Sequence, residues 1–421
     1  MIRSSALYIS LIVSLLILLV CGAMLMVGYT YKMQERKQER RIQLARNIAS
    51  GTQLVLLSSF RSDTSFRLSL FNEAKQSPGL ADSVLLEKRT WGLYETALVE
   101  TWAGRDTLSK AFLIGYAPED TLKVFYLADE DRPVSISGKS KISGMAFLPK
   151  SGIRAAYVES SGYADKTLVY GKTVDSDRFI PEPDGKAWEK LADWIFGLRS
   201  RHTVTSGPAD SVSNSFLNQV QVIRLDAHAQ IPAGTVVSGN VVFLADSSIT
   251  LSGDARLKNV ILIAPFIRID DRFDGSVQAL ATDSISTGNQ VHLRYPSAMM
   301  ILNLDTISFQ PRISVGEQSL LEGQLIAYEK ERSLLMPIIE IGKGSVVKGE
   351  IWSKGYVALS KSARVEGSVS AVRLMAKVGG AIYENYLIDV VLDRPKLSRY
   401  YLSSRLINKP KMLSKVLCWV D

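Results

Sequence analysis

The chain has 421 residues, 46% of them hydrophobic, which is enough for two or three domains with buried cores. Its 50 Lys and Arg against 42 Asp and Glu leave a net charge of +8, and the basic residues are scattered apart from one cluster near the amino end. That balance gives no argument for nucleic acid, and two cysteines, Cys21 and Cys418, exclude a disulfide framework.

Residues 4–31, SSALYISLIVSLLILLVCGAMLMVGYTY, carry no charge. About 20 apolar residues cross the hydrocarbon layer as a helix, so residues 1–31 are expected to form an uncleaved transmembrane anchor. A secretory signal has a shorter apolar core and then a break, whereas this run continues into helix-forming sequence. Ser10 and Ser14 lie one turn apart, where small residues let a second helix approach. In residues 32–60, Ile42, Ala45, Ile48 or Ala49, Thr52 and Leu56 recur at helical spacing opposite a charged face, which predicts an amphipathic stalk. Such a stalk packs on its own domain, on a partner, or on copies of itself.

The uninterrupted passage from SALYISLIVSLLILLV into ERKQERRIQLARNIASGTQLVL resembles the amino-terminal segment of minor pilins and pseudopilins of type IV pilus and type II secretion machines. The resemblance covers about the first sixty residues, without a Gly-Phe-type processing site or a glutamate five residues into the apolar run. It implies a single-pass protein of the bacterial inner membrane with its bulk outside the cytoplasm. The positive-inside rule points the other way, because Lys32, Arg36, Lys37, Arg40 and Arg41 follow the span and only Arg3 precedes it.

Residues 61–132 read as a small β-rich region. TWGLYETALVET, KAFLIGY and TLKVFYLA have strand character, and turn-prone GRD, APED and ADEDRP separate them. This region is expected to cap a repeat array whose open edge would otherwise recruit other strands.

A sparse pattern then recurs: an aliphatic residue, another six later, a turn-former two after that, and an apolar residue two further on. It fits Ile136-Ile142-Gly144-Ala146, Ile231-Val237-Gly239-Val241, Leu251-Leu257-Asn259-Ile261, Val315-Leu321-Gly323-Leu325, Ile341-Val347-Gly349-Ile351 and Leu359-Val365-Gly367-Val369. Short strands with alternate side chains in a narrow core, and glycine where the chain turns at positive φ, give this spacing. The expected fold is therefore mainly β, a right-handed parallel β-solenoid, with Gly144, Gly239, Gly323, Gly349 and Gly367 as structural corner glycines. An antiparallel sandwich is the rival, since its strands alternate too.

The array divides into a first part at residues 133–180, a helical insertion and loop at 181–218, and a main part at 219–379. In the insertion, Trp188, Leu191, Ala192, Trp194, Ile195 and Leu198 predict a helix across the flank of the array, with Asp184 as its cap and TSGPADSVSNS looping back. Residues 380–421, aromatic-rich and off the repeat, are expected to form a terminal cap and tail. The ladder IEIGKGSVVKGEIWSKGYVALSKSARVEGSV also resembles bactofilins, bacterial cytoskeletal polymers built as β-helices, which implies a structural role.

Chemistry is sparse. His202, His228 and His292 show no ligand spacing among themselves or with the cysteines, so neither a metal site nor a cofactor is expected. RIDDRFDG places Asp270, Asp271 and Asp274 together, and β-helix hydrolases use paired carboxylates. The adjacent pair would point to opposite faces of a strand, and a solvated corner accounts for them more plainly. The expectation is a non-catalytic, membrane-anchored structural protein that binds protein partners through stalk and anchor and associates with itself. A membrane-anchored carbohydrate-active enzyme and a cytoplasm-facing scaffold are the alternatives.

Overall fold

The computed structural model describes residues 2–57, 60, 63–70, 82–104, 106–118, 122–158, 161–181, 185–200, 211–303, 309–407 and 414–420. Asp184, His202, the second half of the APED turn and the first half of the polar run at 205–215 lie outside the described residues. The fold is mainly β with one long apolar helix at the amino end. The chain divides into two compact units: residues 1–55, 65–87 and 98–110, and residues 56–64, 88–97 and 111–421.

In the first unit, α1 runs unbroken from Ile2–Val55. Its apolar half is exposed on every side from Leu7 onward, with Leu11, Leu15 and Leu18 all over 60% accessible. Its rear half packs on the sheet through Leu44, Ile48, Thr52 and Val55. Gly51 lets that face sit close, since a Cβ there would come within 2.7 Å of Val99 and 3.0 Å of Leu86. The expected stripe is thus shifted: Ile48 and Thr52 are buried, but Ile42, Ala45 and Ala49 face solvent. The hydrogen bond from Asn47 Nδ2 to Asp82 Oδ2 (2.8 Å) explains the shift, because it fixes a polar residue inside the packed face.

A five-stranded sheet has the order Thr64–Leu70, Asp82–Trp91, Tyr94–Ala103, Asp106–Tyr116 and Ser414–Trp419. The second and third strands meet at a two-residue turn, Gly92-Leu93, too short for a parallel crossover.

The second unit is built largely from parallel pairs, most of them between a strand and the strand two further along the chain. Val236–Leu244 pairs Arg256–Ile263, which pairs Asp274–Ala281, then His292–Asn303, Leu320–Glu329, Val346–Leu359 and Arg364–Val378. Short strands alternate with these: His228–Ile231, Ser248–Leu251, Phe266–Ile269, Ser284–Thr287, Arg312–Val315 and Ile338–Ile341. Repeat positions meet: Val347 is partnered by Val365, Gly349 by Gly367, and Ile351 by Val369. Leu321, Val347 and Val365 are each at most 2% exposed in one apolar core. Each fully buried side chain of this size contributes about 1.5–3 kcal/mol.

The long strands are apolar on both faces, as in VVFL and VILI, because both faces are covered. Val241 and Phe243 point into the first core, whereas Val242 and Leu244 face a second core with Trp188 and Leu191 of α2 (Gly185–Ser200). Trp188 stacks on Tyr328 at 4.2 Å and lies 6.0 Å from Trp352, so α2 crosses several layers of the flank, as its spacing predicts.

Four expectations need correction. Ile261 is not an inner position: Val241 pairs with Val260, and Asn259, at φ 55°, shifts the register by one and sends Ile261 to the second core. The polar run does not simply loop back, since Ser211–Asn214 forms a strand beside Val236–Leu244. Residues 133–180, expected as the first part of the array, do not precede Ile231 in the stack. Lys123–Leu127, which the reading assigned to the capping β region, pairs with Arg364–Val378 on one side and Met145–Leu148 on the other. The tail is not a terminal cap either: Val391–Asp393 lies between Arg364–Val378 and Lys141–Ser143, and Tyr386–Ile388 pairs Val134–Ser137. The aliphatics Leu387, Val390 and Leu392 complete the same core, which local spacing does not reveal.

Candidate functional site

Two columns of corners organise the second unit. In the first, Gly323, Gly349 and Gly367 stand over one another at φ 147°, 149° and 158°. A Cβ on Gly349 would lie 1.8 Å from the Gly323 carbonyl oxygen, and one on Gly367 1.7 Å from that of Gly349. These glycines are required for close approach of backbone to backbone as much as for conformation. At Gly239 a Cβ would lie 2.0 Å from the Asn214 carbonyl oxygen, and at Gly144 2.8 Å from that of Leu122.

The second column escaped the glycine pattern. Arg272, Gln290, Gln318, Gly344 and Ser362 occupy it at φ between 51° and 69°. Hydrogen bonds between layers hold it, from the Arg272 N–H to the Asn289 carbonyl (2.9 Å) and from the Gln318 N–H to the Lys343 carbonyl (3.0 Å). Beneath it runs a buried serine ladder, in which the Val291 N–H donates to Ser319 Oγ (3.1 Å) and the Ser319 N–H to Ser345 Oγ (3.0 Å).

The tail lies over the glycine column. Tyr401, 7% exposed, donates to the Gly323 carbonyl (3.2 Å). Glu350 accepts from Gln324 Nε2 (2.8 Å) and from Ser403 Oγ. These partners of Glu350 are a sequence-distant network that no motif announces.

The three candidate carboxylates do not converge. Asp270 pairs with Arg268 (3.1 Å), Asp271 Oδ1 accepts the Asn289 N–H (2.7 Å), and Asp274 Oδ2 accepts from Arg294 Nη2 (2.6 Å). The Arg294 guanidinium, hydrogen-bonded to Asp274, holds its carboxyl below the ordinary range. His292 lies between Asp274 (3.6 Å) and Glu322 (3.7 Å), and Lys348 closes on Glu322 at 3.0 Å. Opposite charges thus alternate along the stack, which avoids the repulsion that like charges on adjacent strands would bring. His228 bonds to Ser248 Oγ (3.0 Å). Among the described residues, no group of three His, Cys, Asp or Glu is placed to hold a metal.

One cleft opens on this face. Its lining includes Arg256, Lys258 and Arg272 together with Tyr295, Cys418 and Trp419. Burial pushes the Cys418 thiol up to about 11, against the opposing pull of the Lys258 ammonium, so it is no ready nucleophile. Trp419 is 52% exposed and braced edge-on by Phe112 at 5.2 Å.

No protein-family model matches the chain, and no curated protein matches it. Among solved structures, the competence-associated pilin ComZ from Thermus thermophilus aligns over 92% of this chain and 95% of its own, at 8% identity and a TM-score of 0.26. It is a weak structural neighbour, and a superposition this loose transfers neither fold nor role.

Proposed function

We propose that this chain is a non-catalytic structural or assembly protein of the bacterial envelope, anchored in the inner membrane with its bulk outside the cytoplasm, in a pilus- or pseudopilus-like apparatus. The second unit is then a right-handed parallel β-solenoid, a stiff body presented by the anchor. The observation that carries the reading is α1: one helix, apolar and exposed on all sides over its first half, continuing unbroken into a half packed on the first unit. An exposed apolar surface of that length has no stable place in water. Ile42, Ala45 and Ala49 leave a narrow second face uncovered on the rear half, suited to a partner helix or a second copy.

A reporter active only outside the cytoplasm, fused to the carboxyl terminus, tests the topology. Activity, with the protein retained in membranes after alkaline extraction, is expected; extraction into the soluble fraction sinks the anchor. An inactive reporter would instead favour a cytoplasm-facing scaffold, the reading supported by the five cations at Lys32, Arg36, Lys37, Arg40 and Arg41. Polysaccharide turnover abolished by converting Asp270, Asp271 and Asp274 together to Asn would overturn the non-catalytic role.

A further inference from the structure

We propose that the cleft between Arg256, Lys258 and Arg272 and the tip of the strand Ser414–Trp419 binds an anionic glycan, one bearing a carboxylate or phosphate on each repeat. Along the rest of this face the charges are matched, Asp274 with Arg294 and Glu322 with Lys348. At the cleft the matching stops. Arg256, Lys258 and Arg272 are exposed, and among the described residues no carboxylate lies within ion-pair distance of any of them. Asp254 and the committed Asp274 are the acids in the lining. Arg256 and Lys258 lie two residues apart on one strand, so their side chains leave the same face at roughly 6–7 Å, and Arg272 stands at the corner before the neighbouring strand. Trp419 lines the same cleft with half its surface free, a flat apolar platform for one ring. The volume, about 930 Å³, lies within the ~300–1,000 Å³ of small-ligand sites.

The same features argue against nucleic acid. Single-stranded binders stack successive bases on several aromatics, whereas Trp419 is the one aromatic with substantial free surface in this lining. Three unmatched cations also release few counterions compared with the larger phosphate footprints of such proteins. A ring carrying its own negative charge uses both the cations and Trp419. The choice of a glycan rests on the extracytoplasmic reading above, but binding in solution is measured independently of topology, so either can fail alone.

The test titrates the full chain in detergent with trigalacturonate and, separately, with a glycerol-phosphate oligomer, followed by tryptophan fluorescence and calorimetry. Saturable binding of at least one is expected, and the arm that binds identifies the anion. The double variant Arg256→Gln/Lys258→Gln should weaken it at least tenfold, and Trp419→Ala should weaken it and remove the fluorescence change. Arg364→Gln, on the same face but paired with Glu366, should leave binding unchanged. Both cleft cations are exposed, so the double variant should melt with the parent. No saturable binding of either oligomer, unchanged affinity in the double variant, or tighter binding of an oligothymidine of equal charge would each overturn the proposal.

Discussion

The second unit contains two kinds of stack. Between Ser211 and Val378, neighbours in space are neighbours in the repeat: Ser319 reaches Ser345, 26 residues on. At the end built from 123–175 and 386–393, neighbours come from opposite ends of the chain, and the Val390 N–H donates to Ser140 Oγ across 250 residues. The hydrogen-bonded ladder and the buried core are alike in both. What differs is the loop that must close before a rung forms, so the regular stack can grow from any point, whereas the interleaved end waits for the tail.

Breaking the regular stack at its tightest point should have the largest effect. Gly349→Val places a Cβ in the Gly323 carbonyl and should cost at least ~4 kcal/mol, read as loss of folded yield or of the thermal transition. Next comes Leu392→Ala, which opens a cavity at a fully buried site in the interleaved end and should cost about 3 kcal/mol. Hydrogen exchange should then show lost protection across Lys141–Leu148, with Leu321–Ile351 retained. Uniform loss over both regions would mean that the two stacks fold as one. A smaller effect is expected at the other corner: Gly344→Asn, at φ 69° with nothing nearer than 3.8 Å, should cost only ~1 kcal/mol in a thermal melt. A loss near that of Gly349→Val would show that close packing, not conformation, governs both corners.

The regular stack was legible where each layer repeated its spacing, as at Val347 and Val365. It was lost between Phe266 and Asn303, where Phe273 takes the inner place and Ser297 stands where later layers carry glycine. The second corner was invisible because Arg272, Gln290, Gln318 and Ser362 take positive φ without being glycine, held by bonds to the next layer rather than by their own preference. Interleaving leaves no local trace, since Leu392 looks like any core leucine until its partner 250 residues away is known. The long apolar helix was plain from composition alone, but the packed face of α1 was not. Its inward stripe contains Asn47 and Gly51, which a search for apolar periodicity passes over. The cleft was hidden for a related reason, because Trp419 arrives from the tail.

Acid should separate the two stacks by the smallest margin. At the interleaved end, Glu130 accepts hydrogen bonds from Arg373 and from Arg332 (2.9 Å). Burial alone would raise the Glu130 carboxyl, but those bonds and the two positive charges outweigh it and hold the carboxyl below the ordinary range. Its contribution is therefore complete above the unfolded glutamate value of about 4.3 and is lost as pH falls through the folded value. In the regular stack, Glu329 moves the other way: burial raises its carboxyl, and the bonds from Ser333 do not compensate. There the native state holds the proton more tightly, so stability falls as pH rises from the unfolded value through the folded one. Glu130→Gln should lower the melting temperature at pH 7, by the equivalent of ~0.5–1 kcal/mol for a partly exposed pair, and change little at pH 3. Glu329→Gln should raise it, or leave it level, at pH 7. Equal responses from the two variants across that range would show that the ion pairs do not distinguish the interleaved end from the regular stack.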